Sequence, residues 1–463
     1  MSDERERPVV IVSNRGPLSY RLVGEDPVGR RGGGGLVSGL APLVEDGRAT
    51  WIAAALTEGD RAAVRRGITS ADGLSAHLLD LDPEDHRLAY DVISNETLWF
   101  VHHGLFDLTR SPSFDESWWD AWAAYRRVNQ VFAAAVVDLA PPRSAVLVQD
   151  YHLALVAPAV REQRPDLSLV HFHHTPFAGA DGLRVLPPEA RSELLGSLAS
   201  NHACGFHTRT WAANFTDALA HWPSGTATHV FSSSLSSDAE SLRHTAASAE
   251  CEAALGDIEE RIGDRRLIVR VDRIEPSKNI VRGFDAYDML LGRRPDLRGH
   301  VTFLACCYPS RENLDAYRTY RAEVEAAADR VNERWGTSGW QPVVLAADDD
   351  FPRSVAALRR YDVLVVNPIR DGLNLVAKEG PLVNERNGSL VLSTEAGAHD
   401  ELAEAVDGVH PFDLTATAAA MGAALDRTAD DRRHRAERLR MLAASRTPSD
   451  WLADQLAAAG PGG

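Results

Sequence analysis

Short runs of apolar and β-branched residues recur along the chain, and stretches with helical periodicity separate them. Such runs are typical of strands in a parallel sheet, because helices cover both of its faces and no polar alternation is needed. The pattern predicts strands at residues 8–13, 51–54, 145–148, 169–174, 267–271, 301–304, 343–345, 362–365 and 389–394. The intervening segments have helical patterns, the longest at residues 118–139. This alternation predicts an α/β fold with parallel sheets.

The alternation is interrupted between residues 226 and 261, where the sequence is rich in Ser, Ala and Glu and has no strand pattern. We interpret this segment as the junction between two domains. A chain of 463 residues is long enough for two hydrophobic cores. We place one Rossmann-like domain at residues 1–235 and a second at residues 236–446.

Composition and charge exclude several classes of function. The hydrophobic content of 44% and charged content of 25% are typical of a soluble globular protein. A formal net charge of −17 argues against a general role on nucleic acid or a membrane surface. No apolar run is long enough to span a membrane, and the N-terminus does not resemble a signal peptide. The four cysteines lack metal-ligand spacing and suit buried thiols in a reducing compartment, so we expect a cytoplasmic protein.

Three histidines in one predicted strand, His171, His173 and His174, are candidate metal ligands. Neighbouring residues of a strand point to opposite faces, so His173 and His174 cannot readily share one ion. No cysteine or carboxylate lies at a helpful spacing. We therefore expect no metal, one functional histidine and two structural ones.

The most informative stretch is residues 366–379, Val-Asn-Pro-Ile-Arg-Asp-Gly-Leu-Asn-Leu-Val-Ala-Lys-Glu. Gly372 allows a ligand to approach the backbone, and the residues from Asn374 onward have helical composition. The first amides of such a helix are expected to be unpaired and to form an anion site. Asp371 and Glu379 are carboxylates that suit sugar or ribose hydroxyls. An ordinary strand–loop–helix unit could have the same sequence, so this stretch alone leaves both interpretations open.

Charged and polar side chains follow the predicted strands repeatedly. These residues are Arg15, Asp150, His174, Arg273, Lys278, Arg311 and Asp371. Ligands of open parallel sheets bind outside the carboxyl ends of the strands, so the recurrence predicts ligand sites there. Arg273 and Lys278 bracket a turn and combine a planar fork with a point charge, which suits a diphosphate. The glycines at 32–35 form either an anion-binding loop or a flexible surface loop.

Taken together, these segments resemble the trehalose-6-phosphate synthase family, which are retaining glycosyltransferases with the GT-B architecture. The resemblance runs from about residue 9 to residue 413. It is carried by Ser13-Asn14-Arg15, Gly34-Gly35-Leu36, Asp150-Tyr151-His152, His174-Thr175-Pro176-Phe177, Arg273 with Ser277-Lys278, and residues 370–379. It implies two Rossmann-like domains facing a central cleft, with the C-terminal helix, residues 447–463, packing back on the first domain. It also implies transfer of glucose from a nucleotide-glucose to glucose 6-phosphate without a cofactor, giving α,α-trehalose 6-phosphate.

The resemblance also implies a role for each matching residue. The donor diphosphate would be held by Gly35, Arg273 and Lys278, the ribose by Glu379, and the donor glucose by Asp371, Gly372, Leu373, Asn374 and Leu375. The acceptor would be held by Arg15, Tyr90, Trp99, Asp150 and Arg311, with the two arginines on its phosphate. His174 would contact the donor sugar near the reacting carbon. The catalytic set would be Arg273, Lys278, His174 and Asp371. Likeness to actinobacterial members at 31–40 and 269–283 favours GDP-glucose over UDP-glucose.

Two other functions remain open at this point. One is a pseudo-glycosyltransferase that couples a nucleotide-cyclitol to an aminocyclitol phosphate, a branch that residues 381–386 resemble but Tyr90 does not favour. The other is a non-catalytic sugar-phosphate sensor. In each case the expected partners are small molecules rather than nucleic acid or membrane, and homo-oligomerisation is left open.

Overall fold

The computed structural model describes residues 7–32, 36–37, 39–40, 44, 49–223 and 225–460. The chain divides into two compact units. The first unit is Met1–Leu235 together with Pro448–Gly463, and the second is Ser236–Thr447. No helix in the described ranges is both long enough and apolar enough to cross a membrane.

The first unit contains one large parallel sheet. Its strands and two small antiparallel pairs are β1 (Val9–Ser13), β2 (Leu18–Val23), β3 (Asp26–Arg31), β4 (Ala49–Ala54), β5 (Ser70–Ala71), β6 (Leu74–Ser75), β7 (His77–Leu79), β8 (Ala145–Gln149), β9 (Ser168–His173), β10 (Ala203–Phe206) and β11 (His229–Ser232). The order in the large sheet is β11-β10-β9-β8-β1-β4-β7, and every pairing is parallel. β2 pairs with β3, and β5 pairs with β6.

Helices connect these strands. They are Glu58–Arg65, Pro83–Arg87, the π-helix Leu88–Leu98, Trp99–His103, Glu116–Leu139, the 3₁₀ turn Tyr151–Leu153, Ala157–Gln163, Ala180–Leu183, Pro188–Ala199, Arg209–His221 and, at the C-terminal end, Pro448–Ala458. The long helix predicted at 118–139 is confirmed, and it starts at Glu116 because Asp115 caps it by accepting from the Trp118 amide.

The core of the first unit lies on its central strands. Every residue of β1 is buried, as its uninterrupted apolar sequence predicts. Trp51 and Leu147 from the neighbouring strands β4 and β8 are fully buried beside it, and Phe172 is fully buried on the next strand, β9. Three strands of the large sheet were not predicted: β7 is three residues long, β10 is four residues long, and β11 lies inside the 226–261 segment. The expectation that this segment holds no strand is wrong, since parallel pairing with β10 supplies order that the local composition does not.

The second unit contains the other parallel sheet. Its strands are β12 (Arg266–Ile274), β13 (Val301–Pro309), β14 (Val343–Ala346), β15 (Val363–Val366), β16 (Ser389–Ser393) and β17 (Asp407–Val409). Their order is β14-β13-β12-β15-β16-β17, and all pairings are parallel. The five strands predicted in this part of the sequence are confirmed.

The helices of the second unit cover this sheet. They are Ala239–Ala246, Ala249–Ile262, the 3₁₀ turns Pro276–Lys278, Pro295–Leu297 and Ala403–Ala405, Ile280–Arg293, Asp315–Trp335, Phe351–Arg360, Val376–Val383, His399–Leu402, Leu414–Asp426 and Ala429–Ala443. One face of the sheet packs with Phe284, Tyr287 and Val331 from these helices around Phe303 of β13. The apolar face of each helix is therefore what closes the core over the strands.

Candidate active site

All seven polar side chains singled out after predicted strands lie at carboxyl ends of strands. In the first unit Arg15 follows β1, Asp150 follows β8 and His174 follows β9; in the second, Arg273 and Lys278 lie at the end of β12, Arg311 follows β13 and Asp371 follows β15. Carboxyl ends of parallel strands share one edge of a sheet. Three candidates thus lie along one edge of the first sheet and four along one edge of the second.

Lys278 and Asp371 form an ion pair at the edge of the second sheet. Nζ of Lys278 lies 2.6 Å from Oδ2 of Asp371 and 3.8 Å from Oδ1 of Asp272. Burial lowers the pKa of Lys278, but the carboxylates of Asp371, Asp272 and Glu275 together outweigh it and raise the pKa overall. The ammonium is therefore charged at neutral pH and held in place. The pair brings together Lys278, which the resemblance assigns to the donor diphosphate, and Asp371, which it assigns to the donor glucose.

A buried arginine, Arg270, binds the main chain of Lys278 and its neighbour Asp272. Arg270 is fully buried; its Nε donates to Asp272 at 2.8 Å and its Nη2 donates to the main-chain carbonyl of Lys278 at 2.6 Å. A Cβ on Gly283 would lie 2.5 Å from Nη1 of Arg270, so a larger residue there would displace the guanidinium. Arg270 and Asp272 were not predicted as site residues. The sequence does indicate them, because two charged residues stand inside an otherwise apolar strand, where isolated charges are costly.

Glu275 joins two of the predicted arginines. It is 1% exposed, and its Oε1 lies 3.0 Å from Nη1 of Arg273 and 3.5 Å from Nη1 of Arg311. The Ser310 hydroxyl donates to the same oxygen at 3.1 Å, and Arg311 also donates to the Tyr317 hydroxyl at 2.5 Å. Glu275 raises the pKa of Arg273. Two guanidiniums against one carboxylate leave a positive excess that suits phosphate groups.

The loop after β15 is fixed by a second loop from β16. The Asp371 amide donates to Glu395 O at 3.0 Å, and the Gly397 amide donates to Asp371 O at 3.1 Å. A Cβ on Gly397 would lie 2.1 Å from the carbonyl oxygen of Gly372. Only glycine fits such a close approach of two backbones. Gly397 is therefore a structural requirement of the site that the sequence analysis did not identify.

The helix after this loop starts later than expected. It spans Val376–Val383, because Asn374 adopts a positive φ of 75° and so cannot begin an α-helix. The side chain of Asn374 accepts from the Ala377 amide at 3.3 Å and donates to Asp371 at 3.1 Å. The expectation that the first helical amides are unpaired is wrong for Ala377. In the part of the chain that is described, the amides of Asn374 and Leu375 make no hydrogen bond.

Glu379 lies in the first turn of this helix. Burial raises the pKa of its carboxyl to about 7. No cation pairs with Glu379 among the described residues. The neighbouring Lys378 is fully buried and pairs instead with Glu401 at 2.7 Å. Glu379 is thus a carboxyl group whose ionisation falls in the physiological range.

Tyr90 is held between two histidine rings in the first unit. Its ring centroid lies 5.6 Å from that of His86 and 5.4 Å from that of His152, with interplanar angles of 13° and 17°. Nε2 of His86 lies 3.3 Å from Oδ1 of Asn14, and Nδ1 of His152 lies 3.8 Å from Oδ2 of Asp150. The two histidines, which were not predicted as site residues, connect Tyr90 to Asn14 and to Asp150 within the first unit.

The helix that carries Tyr90 has an unusual form. Leu88–Leu98 is a π-helix, and Trp99 begins the α-helix that follows. Positions 90 and 99 would lie on opposite sides of an α-helix, whose turn takes 3.6 residues. They lie near the same side of a π-helix, whose turn is about one residue wider. Trp99 itself is 3% exposed and packs 4.2 Å from the ring of His103.

Asp150 and His174 are fixed to each other. Asp150 has φ 70° and ψ 167°, a conformation that non-glycine residues rarely adopt. Its Oδ1 accepts from the His174 amide at 3.2 Å. The ring of His174 contacts Gln149 through Nε2 at 2.9 Å and His207 through Nδ1 at 3.2 Å. Burial lowers the pKa of His174 to about 3, so the ring is neutral.

Several predicted features remain to be placed. Gly35 lies outside the described residues, and Arg15 has an exposed side chain directly after β1. His171 and His173 are buried, and burial lowers the pKa of both rings. The described ranges contain no group of three or more His, Cys, Asp or Glu side chains arranged to hold a metal ion. All four cysteines are buried free thiols.

The model of glycosyltransferase family 20 matches residues 7–459. The chain belongs to glycosyltransferase family 20. This family-20 enzyme is 31% identical over 481 residues to trehalose-6-phosphate synthase of Mycobacterium avium, covering 98% of this chain and 96% of the relative. It is 30% identical over 475 residues to the bifunctional trehalose-6-phosphate synthase/phosphatase of Thermoproteus tenax. That alignment covers 96% of this chain but 63% of the relative, less than two thirds of its length.

Solved structures resemble this family-20 chain over nearly its whole length. An α,α-trehalose-phosphate synthase (UDP-forming) from Burkholderia xenovorans, in complex with glucose 6-phosphate, has a TM-score of 0.85 and 26% identity over 98% of this chain and 100% of that one. The corresponding UDP-forming enzyme from Burkholderia vietnamiensis has a TM-score of 0.84 and 26% identity over 97% and 100%. The α/β GT-B fold class predicted from the sequence is confirmed.

Proposed function

We propose that this glycosyltransferase moves glucose from a nucleotide-glucose to glucose 6-phosphate, giving α,α-trehalose 6-phosphate. The observation that carries the proposal is the anchoring of Arg273 and Arg311 on one buried carboxylate, Glu275, beside the Lys278–Asp371 pair. A transfer between two phosphorylated sugars requires two anion-binding groups close together. The names of the Mycobacterium and Burkholderia relatives support the same reaction.

On the donor side, Arg273 and Lys278 would bind the diphosphate. Asp371 would bind hydroxyls of the donor glucose, together with the amides of Gly372, Leu373, Asn374 and Leu375. Glu379 would accept hydrogen bonds from the ribose. This assignment is supported by the carboxyl-end positions of these residues and by the two unbonded amides of Asn374 and Leu375.

On the acceptor side, Arg15 and Arg311 would bind the 6-phosphate of the incoming glucose. Asp150 would accept from a sugar hydroxyl, and Tyr90 would form an aromatic wall of the pocket. The stack of His86, Tyr90 and His152 supports this role, because it fixes the tyrosine ring at low entropic cost. Trp99, which is buried, would shape the pocket from behind.

The transfer would proceed with retention at the donor carbon. The bond between the donor C1 and the diphosphate oxygen breaks while the acceptor C1 hydroxyl oxygen bonds to the same face of that carbon. The acceptor proton passes to the leaving diphosphate. Arg273 and Lys278 would stabilise the charge that develops on the leaving group, which is a large contribution in a water-excluded site. Asp371, already paired with Lys278, would orient the sugar.

We also propose that GDP-glucose is the preferred donor, on the likeness of residues 269–283 to actinobacterial members of the family. The two Burkholderia relatives are UDP-forming, so UDP-glucose is the competing donor. Initial rates on GDP-, UDP- and ADP-glucose at saturating glucose 6-phosphate decide between them. A higher kcat/KM on UDP-glucose would overturn the donor preference and leave the transfer reaction intact.

The pseudo-glycosyltransferase alternative loses part of its support. Residues 381–386 resemble that branch, but Asn384 within them bonds the main chain. Its Nδ2 donates to Tyr361 O at 2.9 Å, and its Oδ1 accepts from the Gly388 amide at 2.7 Å. These bonds stabilise the loop and account for Asn384, one residue of the segment, without reference to a substrate.

Product analysis tests the proposed function. The full chain is incubated with a nucleotide-glucose and glucose 6-phosphate, and the product is identified by mass and by its two anomeric proton signals. We expect one non-reducing disaccharide monophosphate with both anomeric centres α. Turnover of an aminocyclitol phosphate but not of glucose 6-phosphate would assign the chain to the pseudo-glycosyltransferases. Tight binding of both ligands without turnover would make it a sensor.

A further inference from the structure

A chain of hydrogen bonds passes through the ring of His174 and ends on the C-terminal helix. The Leu235 amide lies 3.4 Å from Nδ1 of His207, and Nε2 of His207 lies 3.2 Å from Nδ1 of His174. Nε2 of His174 lies 2.9 Å from Oε1 of Gln149, whose Nε2 lies 3.1 Å from Oε1 of Gln455. All five residues belong to the first unit.

The direction of this chain is set by its first member, because a main-chain amide can only donate. A neutral imidazole has one donor and one acceptor nitrogen, so His207 accepts at Nδ1 and donates from Nε2. His174 then accepts at Nδ1 and carries its proton on Nε2. Oε1 of Gln149 accepts a hydrogen bond from that N–H, and Nε2 of Gln149 donates to Oε1 of Gln455. Reversing any one member would oppose two donors or two acceptors.

The chain lies in the interior of the first unit. Gln149 is 1% exposed and Gln455 is fully buried. The ring of Trp451, also from the C-terminal helix, packs 5.7 Å from the ring of His174. Burial keeps the pKa of His174 far below neutrality, so no second proton disturbs the pattern. Breaking one link would leave buried polar atoms unpaired, which folded proteins strongly avoid.

We propose that Gln455, Gln149 and His207 are positioning residues that hold His174 as the Nε2–H tautomer in a single ring orientation. Because its Nε2 donates to an amide oxygen and its Nδ1 accepts from a neutral imidazole, neither ring nitrogen faces the substrate, and His174 acts through its position. Gln455, in the C-terminal helix of the protein, thereby fixes the orientation of the His174 ring. That ring lies beside Asp150, whose Oδ1 accepts from the His174 amide. Only the part of this inference that concerns turnover rests on the proposed function.

Nitrogen-15 NMR of the histidine-labelled full chain at pH 7 tests the tautomer. The His174 signals are assigned by their loss in His174→Gln, and we expect a protonated Nε2 and an unprotonated Nδ1. Gln455→Met keeps the side-chain length but removes the acceptor, so it should mix the tautomers. Gln455→Glu keeps an acceptor oxygen and should retain the wild-type pattern. Gln163→Met, at an exposed position, is the matched control.

A protonated Nδ1 or an imidazolium in the wild type would overturn the proposal. An unchanged tautomer pattern in Gln455→Met would overturn it as well. If that variant does not fold, Gln149→Met breaks the same link from the other side and takes its place. The NMR measurement needs no substrate, so its result stands even if the proposed function fails.

Kinetics then show what the positioning contributes. Gln455→Met should lower kcat about tenfold and change KM for glucose 6-phosphate by less than about threefold, because a misoriented ring affects the transition state more than substrate binding. The pH profile of kcat/KM in His174→Gln should keep both limbs of the wild-type profile. Loss of one limb would show that the ring does transfer a proton, and would refute the inference.

Discussion

The raised pKa of Glu379 predicts that donor binding depends on pH near neutrality. Burial raises the pKa of this carboxyl to about 7 from an ordinary value of 4.5. If the carboxylate binds the ribose hydroxyls, only its ionised form is competent. The ionised fraction falls from about 0.9 at pH 8 to about 0.1 at pH 6, and the apparent Kd rises in proportion. Donor affinity should therefore weaken about tenfold between pH 8 and pH 6.

Calorimetric titration with the intact nucleotide-glucose, without acceptor, measures this effect. The diphosphate of the donor has no terminal phosphate, so its own charge does not change between pH 6 and pH 8. Glu379→Gln should bind more weakly than the wild type does even at pH 6, and its Kd should be independent of pH. Glu260→Gln removes an exposed carboxyl of the same unit and should behave as the wild type.

The same shift has a consequence for stability. Between pH 4.5 and pH 7 the folded state binds more protons at Glu379 than the unfolded state does, so the stability contribution of this group falls as pH rises through that window. The wild type should lose stability relative to Glu379→Gln over that range in urea unfolding. A wild-type donor Kd that changes less than about twofold from pH 8 to pH 6 would refute the reasoning. A donor Kd of Glu379→Gln that depends on pH as steeply as that of the wild type would refute it as well.

Four further predictions address other parts of the site. Lys278→Ala should lower kcat/KM at least about a hundredfold, the scale of one transition-state charge contact; a folded variant with near-normal turnover would exclude the assignment. Arg311→Ala should remove most of the preference for glucose 6-phosphate over glucose, because the contact of Arg311 with the phosphate contributes about 1.5–3 kcal/mol. The donor Kd should stay within about twofold, and an unchanged acceptor preference would contradict the role of Arg311. Activity should persist in EDTA; loss that a divalent ion restores would reveal a metal requirement. Gly397→Ala should abolish donor binding in calorimetry, because its Cβ would lie 2.1 Å from Gly372 O. A variant that binds the donor with wild-type affinity would show that the loops after β15 and β16 can separate.

The strands and the positions of the polar residues after them could be read from the sequence. An apolar β-branched run such as β1 specifies a buried strand locally, whatever the rest of the chain does. The edge that carries Arg15, Asp150 and His174 then follows from parallel pairing alone. The helix after β15 was less predictable, because its start depends on the positive φ of Asn374 rather than on composition.

The π-helix shows where local patterns mislead. Leu88–Leu98 has the composition of an ordinary helix, and nothing in its sequence distinguishes the wider turn. The wider turn changes which side chains share a face, and so it determines where Tyr90 lies relative to Trp99. The short strand β11 was missed for the related reason that its order comes from its neighbour β10.

What the sequence by itself determined was nine strands of the two large sheets, the residues at their carboxyl ends and the family. What only the tertiary structure decided was which of those residues touch. Lys278 and Asp371 are 93 positions apart, and Gln149 and Gln455 are 306 apart. Contacts at such separations leave no periodicity, since they depend on how whole elements pack. Gln455 could not be predicted for that reason, because folding alone brings its partner Gln149 within hydrogen-bond distance. Glu275 and Arg270 lie near their partners in the sequence, but only the fold shows that they are buried and paired.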